Sequence, residues 1–301
     1  MKRVLISGAG GFLARHFASF LRERGVEVEL VGRATRPGVD FTTPEAWVRE
    51  FERFEADAVL HLAGCMSSSD VSSFYRVNVG FAAALFEAAR RVRYPAEKPI
   101  LLMSSAAELG NAPDGDRPIP ETAPLRPLGH YGISKAAQTE LGLLEARSRT
   151  VVLARAFNLV GPGMPTTLSL GHFAASIANV ARAGGTGAIR VGNLSAVRDF
   201  IDARDAVRLC WALVQDVRAH GRVTNVASGV GTRIEDALRT LIDVSGCAID
   251  VELDPARLKP ADVPVSIGST ENLRELVGDV ELTSLEESLR AAYRTALVAG
   301  T

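Results

Sequence analysis

The sequence predicts an α/β chain: a doubly wound parallel sheet of Rossmann type, with a smaller C-terminal α/β lobe. Two observations carry this. Short apolar β-rich runs alternate with stretches of helical periodicity, and a glycine cluster joins the first strand to the first helix. Val4 to Ile6 reads as a buried strand. Leu13, Phe17, Phe20 and Leu21 recur at helical spacing, and Gly25 supplies a stop. Val26 to Val31 is a second strand. Ala58 to Leu62 and Ile100 to Met103 count as the fourth and fifth strands, and Val151 to Ala154 follows. Helical stretches lie at Val77 to Arg91 and Tyr131 to Glu145. Strict alternation of this kind covers both faces of a parallel sheet with helices.

Past about Gly161 the alternation loosens. Gly161-Pro162-Gly163 and the small residues Gly184 to Gly187 interrupt it. One late helix follows Thr232, and another starts at Ser284, where Glu287 completes a capping box. The expected division is 1–160 for the nucleotide-binding half and 161–301 for a lobe, some of whose segments return to the main sheet.

Composition excludes several classes. The 301 residues are 47% hydrophobic and 23% charged, an ordinary globular mix. Basic and acidic residues number 34 and 35, a net charge of −1, so no bulk field draws the chain to nucleic acid. No apolar run approaches a bilayer span, and the N-terminus enters a strand without a signal peptide. The expected location is the cytoplasm. Cys65, Cys210 and Cys247 are scattered and read as buried, reduced thiols. No histidine or carboxylate spacing suggests a metal.

The first strand runs into Gly8-Ala9-Gly10-Gly11-Phe12-Leu13-Ala14. Glycines there let the backbone approach a pyrophosphate, and the helix behind them offers free N–H groups to the anion. The second strand ends without the carboxylate that usually holds a ribose 2′-hydroxyl. Gly32 and Arg33 stand there, with Arg36 nearby. A guanidinium can pair with a 2′-phosphate, so the residues favour NADP(H), with NAD(H) as the alternative. Asp40 and Phe41 are candidates for adenine contact. His61-Leu62-Ala63-Gly64 passes beneath the cofactor.

Tyr131-Gly132-Ile133-Ser134-Lys135 places a phenol and an ammonium on one helix face. A nearby lysine is expected to lower the phenol pKa, easing proton exchange near neutral pH, and Lys135 can also hold the nicotinamide ribose, so Tyr131 and Lys135 count as cofactor contacts too. Ser104-Ser105 at the end of the preceding strand offers a hydroxyl to the reacting oxygen.

Glycine loop, strand-end serine and YxxxK in this order resemble the extended short-chain dehydrogenase/reductase superfamily over nearly the whole chain. The resemblance implies a catalytic triad of Ser105, Tyr131 and Lys135. Ser105 lies five residues before Gly110, the glycine of the family's loop motif. Asn78 matches a supporting asparagine on the helix after the fourth strand and counts with the cofactor-binding residues. Arg155-Ala156-Phe157-Asn158, Gly161-Pro162-Gly163 and Val197-Arg198-Asp199-Phe200 resemble the segments that meet a nucleotide sugar. That implies Asn158 and Arg198 as substrate contacts, and Lys259-Pro260-Ala261-Asp262, which resembles a late loop that contacts the nucleotide, adds Lys259 and Asp262, although the family usually has arginine at position 259.

Within the superfamily the chain is most similar to the branch that reduces GDP-4-keto-6-deoxy-mannose to GDP-rhamnose. The carriers are Ser105-Ala106-Ala107-Glu108 with Gly110, Pro124 to Pro127, Gly192 to Phe200 and Asp254 to Arg257. The sequence departs from it at Leu109, where tyrosine is usual, and at His130, where proline is common. Both are expected to border the sugar pocket. Sugar-nucleotide dehydratases carry an acid pair after the strand-end hydroxyl, where this chain has Ala106 and Ala107. Glu108 sits one position further along and is expected to face elsewhere. The absent pair argues against dehydration and for reduction of a keto group, at C4.

A nucleotide-sugar 4-epimerase with tightly bound NAD is the alternative, and a non-catalytic dinucleotide-binding sensor or scaffold is a remote one. Family likeness further implies a homodimer formed by the helices at 77–91 and 131–145. The first of these carries Phe81, Ala82, Leu85, Phe86 and Ala89, more apolar surface than one buried face needs.

Overall fold

The structure, a computed structural model, describes residues 1–111, 115, 117–257 and 263–299. The first half runs β1 (Arg3–Ser7), α1 (Phe12–Arg22), β2 (Glu27–Val31), α2 (Pro44–Arg53), β3 (Ala58–His61), α3 (Ser72–Tyr75), a π-turn (Arg76–Gly80), α4 (Phe81–Arg91) and β4 (Ile100–Ser105). A 3-10 turn (Ala106–Glu108), α5 (His130–Glu145), β5 (Val151–Ala156) and β6 (Asn158–Val160) follow. The second half runs α6 (Ser169–Arg182), β7 (Thr186–Val191), β8 (Val197–Asp202), α7 (Ala203–Gln215), β9 (Val223–Val226), β10 (Gly231–Arg233) and α8 (Ile234–Ser245). It closes with β11 (Ala248–Leu253), β12 (Val265–Ser266), α9 (Glu271–Val277) and α10 (Leu285–Val298).

Six strands form one parallel sheet in the order β2-β1-β3-β4-β5-β9. This is the doubly wound arrangement expected. Chain order reverses between β1 and β3, and ligands of such sheets bind outside the strand ends at that switch point. Helices cover both faces. Phe17 and Leu21 of α1 pack with Val207 and Trp211 of α7 on one side. Trp47 and Phe51 of α2 pack with Leu85 and Phe86 of α4 on the other. β9 joins this sheet from beyond position 161.

Two numbering expectations fail for one reason. A single helix and no strand separates β2 from Ala58, so Ala58–His61 is the third strand and Ile100–Ser105 the fourth. The intervening apolar residues Phe41, Trp47 and Phe51 are spent covering the sheet. The helix expected to run unbroken from Val77 is preceded by α3 and wound as a π-turn around Asn78. Its supposed surplus of apolar surface is consumed inside the chain. Ala82, Leu85, Phe86 and Ala89 are buried, and Phe81 is half-buried with its ring 6.0 Å from that of Phe41.

A second core gathers α6, α8 and α10 around Phe173, Ile177, Leu238 and Leu289. Its strands form small groups: β10, β8 and β12 pair in that order, β6 pairs with β8, and β7 pairs with β11. Side chains set the helix starts here. Asp202 accepts from the Arg204 N–H at the head of α7, and the Ser284 hydroxyl accepts from the Glu287 N–H at the head of α10. Cys210 is buried, whereas Cys65 and Cys247 are only half-buried, and all three are free thiols. No helix among the described residues is long and apolar enough to cross a membrane.

Candidate active site

The glycine loop sits at the switch point. Gly8 adopts φ +86, and a Cβ there would meet the Ala63 nitrogen at 3.0 Å. A Cβ on Gly11 would meet the Gly8 carbonyl oxygen at 2.8 Å. Both positions therefore require glycine. Gly11 caps α1 without any side-chain hydrogen bond, so the first-turn N–H groups are left for another acceptor. Across from it, Ser7 fastens the end of β3. Its hydroxyl oxygen accepts from the Leu62 and Ala63 N–H groups at 3.0 and 3.1 Å. With those acceptor positions filled, the hydroxyl proton points to His61 Nδ1 at 3.0 Å. Burial holds the His61 pKa at about 3, so the ring is a neutral fixture.

Two cavities meet at Gly8, Gly11, Leu62 and Gly64. The first, about 320 Å³, is lined by Gly10, Arg33, Phe41, Ala63 and Phe81 among others. The second, about 460 Å³, is lined by Phe12, Leu13, Ser105, Tyr131, Lys135, Asn158 and Arg198 among others. One long cleft over the strand ends, with an uncapped helix N-terminus midway, fits a dinucleotide with its pyrophosphate at Gly11. Arg33 is exposed and makes no ion pair or hydrogen bond among the described residues. Arg36 differs: its guanidinium is held by Glu29 and Glu50 at 2.6 and 2.7 Å. Asp40 does not line the cleft, because its carboxylate accepts from the Thr42 N–H and hydroxyl.

Ser105 closes β4, while Tyr131 and Lys135 occupy the first turns of α5. All three line the larger cavity. The phenol pKa lies above its ordinary value because its half-buried position withdraws it from water; interaction with the Ser105 hydroxyl pulls it back part of the way. That corrects the expectation of a phenol lowered by lysine. The Lys135 ammonium points to the sheet, donating to the Met103 carbonyl oxygen and Gln138 Oε1. Burial drops its pKa to about 8, against the opposing charge of Glu108.

Asn78 is fully buried and lines neither cavity. It ties the loop after β3 to α5. Its Oδ1 accepts from the Cys65 N–H at 2.8 Å, and its Nδ2 donates to the Cys65 carbonyl and the Ser134 hydroxyl at 3.1 and 2.8 Å. Asn158 Nδ2 donates to the Asp199 carbonyl at 3.0 Å while still facing the cavity. Lys259 and Asp262 lie outside the described residues.

Two expectations are corrected. Leu109 is 2% exposed and packs with Ile119, Phe157 and Ala227 instead of lining the pocket. His130 is exposed, does not line the cavity, and is bonded through Nδ1 to the Tyr75 hydroxyl at 2.9 Å. Glu108 faces away from the cavity, as expected. It is completely buried behind Ser105, bonded to Ser105, Thr139 and Arg155. Sequence reasoning also missed the apolar wall of Met164, Leu168 and Val263, which carries no motif and which Phe200 completes.

Comparison with known proteins agrees with this geometry. Residues 4–227 match the NAD dependent epimerase/dehydratase family. The GDP-6-deoxy-D-mannose reductase of Pseudomonas aeruginosa is 26% identical, covering 96% of this chain and 95% of its own. The GDP-6-deoxy-D-talose 4-dehydrogenase of Aggregatibacter actinomycetemcomitans is 23% identical, covering 98% of each. The structure of RMD from Pseudomonas aeruginosa complexed with NADPH superposes with a TM-score of 0.88 at 24% identity, over 99% of this chain and 100% of that one. The chain belongs to the NAD dependent epimerase/dehydratase family and is an NAD(P)-dependent oxidoreductase of the extended short-chain dehydrogenase/reductase type.

Proposed function

We propose that the protein reduces the C4 keto group of a nucleoside-diphosphate deoxysugar, as in the conversion of GDP-4-keto-6-deoxy-mannose to GDP-rhamnose. One observation carries the reading. The Ser105, Tyr131 and Lys135 set opens into a cavity whose described lining includes the cations Lys135 and Arg198 and no carboxylate. Such a lining suits an anionic diphosphate and offers no acid–base pair for elimination. Ala106, Ala107, Met164, Leu168 and Phe200 present apolar surface, compatible with a deoxygenated sugar carbon. The names of the two relatives, a reductase and a dehydrogenase of GDP-6-deoxysugars, point the same way.

A reduced nicotinamide bound in the cleft supplies the hydride. The residues do the remainder. Ser105 holds the carbonyl oxygen by a hydrogen bond. Tyr131, protonated at neutral pH by its raised pKa, gives the phenolic proton to the alkoxide that develops there. Lys135, still charged below about pH 8, ties α5, the helix that carries Tyr131, to β4 through the Met103 carbonyl, and would hold the nicotinamide ribose. Asn158 and Arg198 bind the diphosphate. Arg33 favours NADP(H) over NAD(H), since it stands open at the end of β2 where a 2′-phosphate would lie. A homodimer through α4 and α5 accompanies this reading, supported now by the exposed Ile133 and Leu144 on α5.

The test is stoichiometry. Purified protein given NADPH and GDP-4-keto-6-deoxy-mannose should consume one NADPH per sugar reduced. Protein that releases NAD only on denaturation, and interconverts sugars without consuming added NADPH, would be an epimerase instead.

A further inference from the structure

Glu108 has no part in the reduction as derived above, yet it is the most enclosed charged group near it. Its side chain is completely buried and Arg155 beside it is 2% exposed. A carboxylate is a costly way to fill such a space unless its hydrogen bonds accomplish something a leucine cannot. Those bonds link the Ser105 backbone to Thr139 and Arg155. Glu108 Oε1 accepts from the Ser105 N–H at 3.0 Å and from the Thr139 hydroxyl at 3.0 Å. Glu108 Oε2 lies 3.3 Å from Arg155 Nε. The Ser105 hydroxyl in turn accepts from the Ala107 N–H at 3.2 Å, which closes a capping box around the turn after β4. Thr139 lies on α5, the helix that carries Tyr131 and Lys135, and Arg155 lies on β5. One carboxylate therefore fixes the serine of one element relative to the helix bearing the other two catalytic residues.

We propose that Glu108 is a positioning residue for Ser105, setting the hydroxyl in register with Tyr131 across the reacting oxygen. The proposal rests on the reductase reading. It assigns Glu108 no contact with substrate. It also gives Arg155 a purpose: its guanidinium neutralises the carboxylate, leaving both oxygens of Glu108 occupied.

The experiment uses charge-balanced variants of the full chain, because removing one partner leaves a buried ion unpaired and threatens folding. Glu108→Leu with Arg155→Met removes the pair and the acceptor. Glu108→Gln with Arg155→Met removes the pair and keeps an amide oxygen for Ser105 and Thr139. In the leucine pair kcat should fall about a hundredfold, the scale of a misplacement near one ångström, with little change in cofactor affinity. In the glutamine pair most of that loss should be restored. Adding Ser105→Ala to the leucine pair should cost little more than Ser105→Ala alone, since both act through one hydroxyl. Hydrogen exchange of the 103–109 segment should quicken in the leucine pair and not in the glutamine pair.

Additive losses, equal activity of the two pairs, or unchanged exchange would overturn the proposal. If Ser105→Ala kept full turnover, the reductase triad itself would fail. If no keto sugar were reduced, the reductase reading would fail alone, and the exchange arm would still decide whether Glu108 holds Ser105.

Discussion

Replacing Lys135 by methionine should stabilise the protein at neutral pH while removing its chemistry. The ammonium is 4% exposed, and burial takes its pKa from 10.5 to about 8. The unfolded chain therefore keeps a proton between pH 8 and 10.5 that the folded chain releases, and stability rises with pH across that window. Below the window the folded state carries a penalty of about 3 kcal/mol, since each tenfold loss of proton affinity corresponds to about 1.4 kcal/mol. Methionine has similar length and no charge, so it lifts the penalty. It also forfeits the bonds to the Met103 carbonyl and Gln138, about 1 kcal/mol each. The balance is a variant about 1 kcal/mol more stable than wild type near pH 7 and about 1 kcal/mol less stable near pH 10. Urea denaturation of both proteins at the two pH values measures the swing, in which other titrating groups cancel. A difference that does not move with pH would refute the reasoning, because it would mean that Lys135 titrates alike in both states. Turnover and cofactor affinity should both fall in the variant, the usual exchange of stability for function at a site.

Arg33→Asp should raise the Michaelis constant for NADPH more than that for NADH, by deleting a partner for the 2′-phosphate and adding repulsion; equal effects would count against NADP(H). Asn78→Ala removes the partner of the part-buried Cys65 N–H and carbonyl and one of two partners of the buried Ser134 hydroxyl, and should cost about 2–4 kcal/mol in denaturant unfolding. A loss well under 1 kcal/mol would show that solvent reaches those groups. Ile133→Glu with Leu144→Glu should give a monomeric mass by light scattering where the wild type is dimeric, and a wild type already monomeric at micromolar concentration removes that idea.

The nucleotide half was legible because its signals are local. The strand at Val4, the glycines at 8, 10 and 11, and the apolar face of α1 lie within one short stretch, and YxxxK within another. The strand count went wrong because the apolar residues between β2 and β3 became cover for the sheet. Glu108 faces away from the cavity as expected, but its burial was not legible: the chain turns as a 3-10 segment after Ser105 and carries the side chain inward. The phenol expectation failed because sequence spacing places Lys135 on the face of Tyr131 without showing that its ammonium is engaged by Met103 and Gln138. The lobe resisted most. β12 is two residues long and β10 three, so their pairings with β8 depend on distant partners and leave little period to read. Residues such as Phe200 and Met164 face the cavity only because those pairings place them there.

The central claim is that Tyr131 delivers the proton in a carbonyl reduction, and Tyr131→Phe tests it most directly. The substitution keeps the ring and deletes only the hydroxyl. Steady-state oxidation of NADPH should be followed with a GDP-4-keto-6-deoxy sugar, alongside cofactor binding and thermal melting. The account predicts turnover lower by about two to four orders of magnitude, the range for a lost general acid, with melting temperature and cofactor affinity little changed. Near-full turnover in Tyr131→Phe, with the wild type reducing the same sugar well, would contradict it.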